Sequence, residues 1–229
     1  MALFNRHIKI SASGLFQDRT DWHCHILPGV DDGFKTLADS LAALARYEEV
    51  GIKEVWLTPH IMEDIPNRTG ALRERFLELT LAYKGPVRLH LASENMMDVI
   101  FDQRLEAGDL LPMKDRRLLV ETSYFNPPIG MDDILKEIKS KGYFPLLAHP
   151  ERYMYMDERR YKALKAMEIE FQLNLGSLTG AYGHEVKARA EHLLQAGMYE
   201  YSGTDLHRLS SLEHMLSAEL KRKIIKLIP

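Results

Sequence analysis

His23-Cys24-His25-Ile26-Leu27-Pro28-Gly29-Val30-Asp31-Asp32-Gly33, led in by Asp21 and Trp22, is the stretch on which the reading of this chain turns. At the end of a short strand, two histidines separated by one residue point to the same face, so both imidazoles can grip one ion. The Pro28-Gly29 turn brings Asp31 and Asp32 back toward the same place and adds hard oxygen donors to the nitrogens. Asp32 reads as a ligand; Asp31 reads either as a residue that orients a ligand or as a cap on the turn. Cys24 faces the other way and reads as a small packed thiol. His-x-His alone says little, and its weight depends on the rest of the chain.

Downstream, strands and helices alternate, and the strands deliver the same residue types. Thr36 and Asp39 form a capping-box pattern for a helix with Leu37, Leu41 and Leu44 on one face, stopped by Gly51. A strand over 53–58 leads to His60, one over 87–92 to Glu94, one over 117–120 to Glu121, and one over 143–148 to His149-Pro150-Glu151-Arg152. A sixth strand over 169–175 ends near Asn174 without a charged ligand, and a seventh over 198–202 leads to Gly203-Thr204-Asp205-Leu206-His207. Helical stretches are expected at 72–83, before Arg117, up to Gly142, at 161–167, at 185–196 and through the tail at 211–227. Residues 1–18, with Arg6, His7 and Lys9, show little periodicity and read as a loose leader over the surface, leaving 19–229 as a single domain. Seven strands alternating with helices imply an α/β fold with parallel pairing and right-handed crossovers. In closed α/β barrels the chemistry sits on the loops at the C-terminal strand ends.

Composition narrows the function. A net charge of −3 over 229 residues offers no basic field for nucleic acid. No apolar run approaches the roughly 18 residues of a membrane span, so membrane insertion is not expected. One cysteine permits no internal disulfide and fits a reducing cytoplasm. An arginine six positions after Cys24, which a cysteine-based phosphatase loop needs, is missing because Val30 stands there, and no Gly-rich nucleotide loop or Gly-x-Ser-x-Gly elbow occurs.

The candidate metal ligands are therefore His23, His25, Asp32, His60, Glu94, Glu121, His149, Asp205 and His207, five imidazoles and four carboxylates. That set is too large for one ion and suits two or three divalent ions with a bridging carboxylate, since clustered carboxylates without cations repel one another. His7, His90, His184, His192 and His214 read as lying off this rim.

These residues resemble a known family. The run from His23 to Gly33, with Thr58-Pro59-His60, His149-Pro150-Glu151-Arg152 and Asp205-Leu206-His207, is similar to the PHP (polymerase and histidinol phosphatase) superfamily. Within it, the match is to the capsule-type bacterial protein-tyrosine phosphatases of the CpsB/YwqE type, over about residues 19–216. The resemblance implies a distorted seven-stranded (β/α)7 TIM-like barrel, the PHP fold. It also implies a trinuclear centre, commonly manganese with iron or zinc possible, and hydrolysis of phosphotyrosine on the tyrosine-rich tail of a bacterial tyrosine kinase that controls capsule or exopolysaccharide export. Two departures stand out: the leader before Asp21 is longer than expected, and a second substrate-binding arginine beyond His207 is not evident, with Leu212 near its place and only Arg208 close.

On this reading Arg152 binds phosphate oxygens, with a salt bridge to Glu151 or a neighbour as its alternative role, and Arg208 is a second candidate. Arg152, Asp205 and His207 are the expected catalytic residues. Tyr124, Phe125 and Pro127-Pro128 would wall the substrate ring, and the loop at 61–70 would close over it. The alternative substrate is a small phosphomonoester such as histidinol phosphate; a metal-stabilised scaffold without turnover is the non-enzymatic alternative.

Overall fold

The computed structural model describes residues 7–229, so Arg6 and the first part of the expected leader lie outside the described residues. Strand β1 (His7–Lys9) and helix α1 (Ile10–Ser13) precede β2 (Thr20–Cys24), α2 (Leu37–Val50), β3 (Glu54–Leu57) and β4 (His60–Ile61). Then come α3 (Thr69–Ala82), β5 (Arg88–Leu91), β6 (Glu94–Met96), α4 (Phe101–Ala107), β7 (Arg117–Glu121), α5 (Met131–Ser140) and β8 (Phe144–Ala148). The chain continues through α6 (Glu158–Ala166), β9 (Glu170–Asn174), α7 (Leu175–Thr179), α8 (His184–Gln195) and β10 (Tyr201–Gly203). It ends with α9 (Leu209–Ser217), β11 (Glu219–Lys221) and α10 (Arg222–Ile225). No helix among the described residues is long and apolar enough to cross a membrane.

The fold is α/β, built on a curled parallel sheet. Where the sequence reads seven strands, the structure divides the parallel strands between a six-stranded sheet, ordered β10-β9-β8-β7-β6-β4, and a three-stranded sheet, β2-β3-β5. The break follows from Thr58-Pro59 and Ala92-Ser93, which interrupt two extended runs; Pro59 has no N–H to give to a ladder. Across the gap the runs still touch, with Ala92 N donating to Leu57 O at 2.9 Å and Glu94 N to Pro59 O at 3.1 Å. On the other side, β2 meets the segment after β10 through Asp205 N to His23 O at 2.7 Å and His25 N to Leu206 O at 3.0 Å.

Side chains alternate between two apolar layers. Val55, Leu57, Leu118, Val120, Leu147, Phe171 and Leu173 join the main core. Trp56, Ala92, Leu119, Leu146 and Ala148 form a separate inner cluster with Trp22 and Tyr201 against it. Two residues further along each strand, that inner parity delivers Glu94 from Ala92 and Glu121 from Leu119; four residues on from Trp56 it delivers His60. In β2 the parity would send His23 outward, since Trp22 belongs to the inner cluster. A register shift between Asp21 and Cys24 corrects this, a bulge that re-aims a side chain at the rim.

Helix α2 has the expected cap, Thr36 Oγ1 accepting from Asp39 N at 3.1 Å, and ends on Gly51 at φ 95°. Two expectations need correction. The leader is not loose over 7–18: Ile10, Leu15 and Phe16 are buried in the main core, and β1 pairs antiparallel with β11 in the register Ile8↔Leu220. The tail is not one helix, because Glu219-Leu220-Lys221 is exposed-buried-exposed, a period-2 pattern over only three residues, and the backbone leaves the helix at Ala218 to make β11.

Candidate metal centre

The expected ligands meet at the C-terminal ends of the parallel strands. His23 and His25, brought to one side by the bulge, have their Nε2 atoms 3.1 Å apart. Asp31 fills both roles left open for it: Oδ2 lies 2.8 Å from His25 Nδ1, while Oδ1 accepts from Gly33 N at 2.9 Å. A Cβ at Gly33 would collide with the His25 carbonyl, so this return of the chain needs glycine. Held through Nδ1, His25 presents Nε2 to the centre.

Glu94 is the hub. Its Oε2 lies 3.1 Å from His23 Nε2, 3.4 Å from His25 Nε2 and 3.2 Å from His60 Nδ1, and its Oε1 lies 3.0 Å from His149 Nε2. Asp205 Oδ1 stands 3.5 Å from His23 Nε2 and 3.3 Å from His25 Nε2. Glu121 Oε1 is 3.0 Å from His60 Nδ1, and Asp32 Oδ1 is 3.3 Å from His207 Nε2. Ligand atoms within 4.8 Å of one another fall into three groups: His25, Asp32, His60 and His207; His23, His25, Glu94 and Asp205; and His60, Glu94 and Glu121. His149 stands beside the third group through its contact with Glu94.

Glu94, His25 and His60 each belong to two of these groups, so the three groups form one continuous cluster that could hold metal. The fit to cations rests on unpaired atoms: His60 Nδ1, Glu94 Oε2, Glu121 Oε1 and His149 Nδ1 are buried without a hydrogen-bond partner among the described residues. Three of these lie near each other yet outside hydrogen-bond geometry, so their lone pairs converge on shared space rather than on one another.

The charges agree. Burial pushes the His23 imidazole down, but Glu94 and then Asp205 outweigh it and lift it to about 9. His25 is also raised, against its burial, with Asp31 the leading cause. Burial would raise Glu94, yet His23 and His60 hold it well below the ordinary carboxylate range; Asp205 behaves likewise, with His23 the main opposing charge. Asp32 is held low chiefly by its hydrogen bond with His207. Such a cluster gathers positive charge, as protons or as divalent ions, to keep its carboxylates ionised.

Two of the expected ligands sit on unusual backbone, His149 at φ 34° and Asp205 at φ 52°. A short 3₁₀ turn, Pro150–Arg152, follows His149 and carries Arg152 toward a cavity of about 630 Å³ that Asp32, His60, Glu94, His149, Asp205 and His207 also line. Arg152 makes the salt bridge allowed for it, but to a neighbour, Asp205, and not to Glu151. Its Nη1 donates to Asp205 Oδ2 at 2.9 Å, whereas Glu151 is buried and taken by Ser177 Oγ at 2.7 Å, Tyr199 OH at 2.9 Å and Asn174 N at 3.1 Å.

Arg208, exposed at the start of α9, borders the same cavity. So does His214, contrary to its expected place off the rim, because α9 begins two residues after His207 and lays its first turns along the cavity mouth. Of the expected apolar wall only Tyr124 lines the cavity; Phe125 is 73% exposed. Residues 61–70 do not border it either, since Asn67 ties that loop down through Nδ2 to Val30 O and His60 O, both at 2.9 Å.

Residues beyond the sequence-predicted set complete the site. Gln172 Oε1 lies 3.0 Å from His23 Nδ1, and Asn174 Nδ2 donates to Asp205 Oδ2 at 2.8 Å. Asp21 fastens the Asp205 segment to β2, its carboxylate accepting from Thr204 N at 2.8 Å, Thr204 Oγ1 at 2.7 Å and Tyr47 OH at 2.6 Å. Asn174, at the end of the sixth strand, stands where the other strands place an expected ligand, and holds the expected ligand Asp205 instead.

A cluster of histidines and carboxylates able to hold metal, at the C-terminal rim of a curled parallel sheet with an arginine at its mouth, defines an α/β protein of the metal-dependent kind. Residues 19–224 match the family described as "Capsular polysaccharide synthesis, CpsB/CapC", and the chain belongs to that family. It is 29% identical over 198 residues to the tyrosine-protein phosphatase YwqE of Bacillus subtilis (strain 168), covering 83% of this chain and 78% of that protein. It is 27% identical over 209 residues to the tyrosine-protein phosphatase CpsB of Streptococcus pneumoniae, covering 83% of this chain and 84% of that one. Among solved structures, one from work on B. subtilis YwqE and S. pneumoniae CpsB, described as unique metal-dependent tyrosine phosphatases, superposes with a TM-score of 0.78 at 28% identity, covering 84% of this chain and 81% of the other.

Proposed function

We propose that this chain is a metal-dependent protein-tyrosine phosphatase acting in capsule or exopolysaccharide control. The observation that carries the reading is the convergence of the ligand groups and Arg152 on one cavity. Membership of the capsular polysaccharide synthesis family, and relatives named as tyrosine phosphatases, support the substrate class.

The proposed ligands are His23, His25, Asp32, His60, Glu94, Glu121, His149, Asp205 and His207, holding two or three divalent ions, with manganese the leading candidate. When bound, such ions supply Lewis-acid polarisation of the phosphoryl oxygens and a water activated near neutral pH. Arg152, kept cationic because Asp205 outweighs the effect of its burial, binds phosphate oxygens; Arg208 is a second cation at the mouth. Asp205 acts twice, one oxygen toward the histidines and the other on Arg152. Tyr124 offers a wall to the substrate ring. A phenol leaves with a pKa near 10, so a dedicated general acid is dispensable.

The two parallel sheets are read as a distorted seven-stave barrel, each interrupted run counting once, and 19–229 as one domain onto which 7–18 pack. The phosphotyrosine partner is proposed to be the tyrosine-rich tail of a bacterial tyrosine kinase, met in the cytoplasm. Phosphate release from a phosphotyrosine peptide by chelator-treated protein, with and without added manganese and with histidinol phosphate in parallel, tests this. Manganese-dependent release from the peptide is expected; release from histidinol phosphate alone would overturn the substrate, and no release with any divalent metal would overturn the enzyme.

A further inference from the structure

Arg152 enters the cavity flanked by two tyrosines from different loops. The centre of its guanidinium lies 4.4 Å from the Tyr124 ring centroid and 4.1 Å from that of Tyr182. Tyr182 is placed with care. It sits in a turn between Gly180 at φ 87° and Gly183 at φ 94°, closed by Gly183 N donating to Gly180 O at 3.0 Å. A Cβ at Gly176 would stand only 3.3 Å from Tyr182 Cε2, so the ring lies against bare backbone of α7. Asn174 Nδ2 donates to Tyr182 OH at 3.2 Å as well as to Asp205 Oδ2, tying the ring to the carboxylate that holds Arg152. Tyr124 comes from the loop after Glu121, its carbonyl accepting from Met154 N at 2.7 Å.

With two rings beside it and one Nη1 hydrogen given to Asp205, the guanidinium keeps four N–H donors, enough to present a pair of them to another acceptor. An arginine held that way offers parallel N–H groups to two oxygens of one tetrahedral anion, and its rotamer freedom is already spent before the ligand arrives. The geometry points to Tyr124 and Tyr182 as positioning residues that hold Arg152 edge-on to a phosphate group, an inference that rests on reading the cavity as a phosphatase site. The rings, not the hydroxyls, carry the effect: the Tyr182 hydroxyl is engaged with Asn174.

The test uses manganese-loaded protein, p-nitrophenyl phosphate as reporter and inorganic phosphate as competitive inhibitor. Tyr182→Ala and Tyr124→Ala are expected to raise the phosphate Ki about five- to tenfold, as loss of a desolvated cation–π contact implies. Tyr182→Phe and Tyr124→Phe keep the rings and are expected within about twofold of wild type. Manganese content should equal that of wild type in all four. In an Arg152→Ala background the same alanine changes should move Ki by less than about twofold, because their effect passes through the arginine. An unchanged Ki in the alanine variants, an equal loss without Arg152, lost manganese, or a Tyr182→Phe defect as large as Tyr182→Ala would each overturn the inference. Wild-type protein that neither turns over the reporter nor responds to phosphate would instead sink the phosphatase reading, and the inference with it.

Discussion

Gln172 sets the orientation of His23. Its Oε1 stands 3.0 Å from His23 Nδ1, while its own Nε2 donates to Leu173 O, so the amide is fixed with the carbonyl toward the ring and the proton is assigned to Nδ1. His23 Nε2 is thereby left as a lone pair for an ion. Substituting Gln172→Leu frees the ring and buries an unpaired Nδ1–H, and metal affinity at the His23 group is expected to fall about 10- to 100-fold in a calorimetric manganese titration. Unchanged affinity would show that packing alone orients the imidazole. The residues that converge on the cavity were mostly legible from their place just after an apolar strand, because that junction is where α/β chemistry sits. Gln172 was not, since a glutamine inside a strand has no local signature and its partner is 149 residues away. The β2 bulge was equally hidden, though without it His23 would face the main core.

Between the N-terminal elements and the C-terminal ones, β1, α1 and the turn after it form a clasp rather than a tail. Phe16, 5% exposed, packs in the main core with Ile10 and Leu15. Phe16→Ala should cost about 3 kcal/mol, the lower end for emptying a buried aromatic site, read as a lowered urea midpoint at unchanged slope. A surface leader would lose almost nothing. Long elements with a cap or a clear period were readable in advance, as α2 shows with Thr36, Asp39 and Gly51. Short ones were not: β1 and β11 have three residues each, too few to establish a period, and they exist because they pair with each other. The division of the sheet was hidden too, although Pro59, the residue that enforces part of it, was in plain view.

For the molecule as a whole, the centre makes stability depend on pH in opposite senses with and without metal. In metal-free protein the His23 pKa, about 9, lies above its unfolded value near 6.5. The charged imidazole therefore stabilises the fold fully below about 6.5, and the contribution, about 3 kcal/mol, is lost as pH rises toward 9. Metal-loaded protein should instead grow more stable over the same window, because metal and proton compete for the same lone pairs. Thermal melts from pH 6.5 to 9 with and without chelator measure both slopes, and parallel slopes would count against a shared site. The left-handed backbone at His149 and Asp205 has a consequence on a longer timescale. Each costs on the order of 1 kcal/mol that glycine, or to a lesser degree asparagine, would relieve, and each carries a proposed ligand that those residues would remove. Descendants released from the need for turnover would drift first at these two positions and become hardier as they fell silent, so heat tolerance among natural homologues is a poor guide to which of them still work.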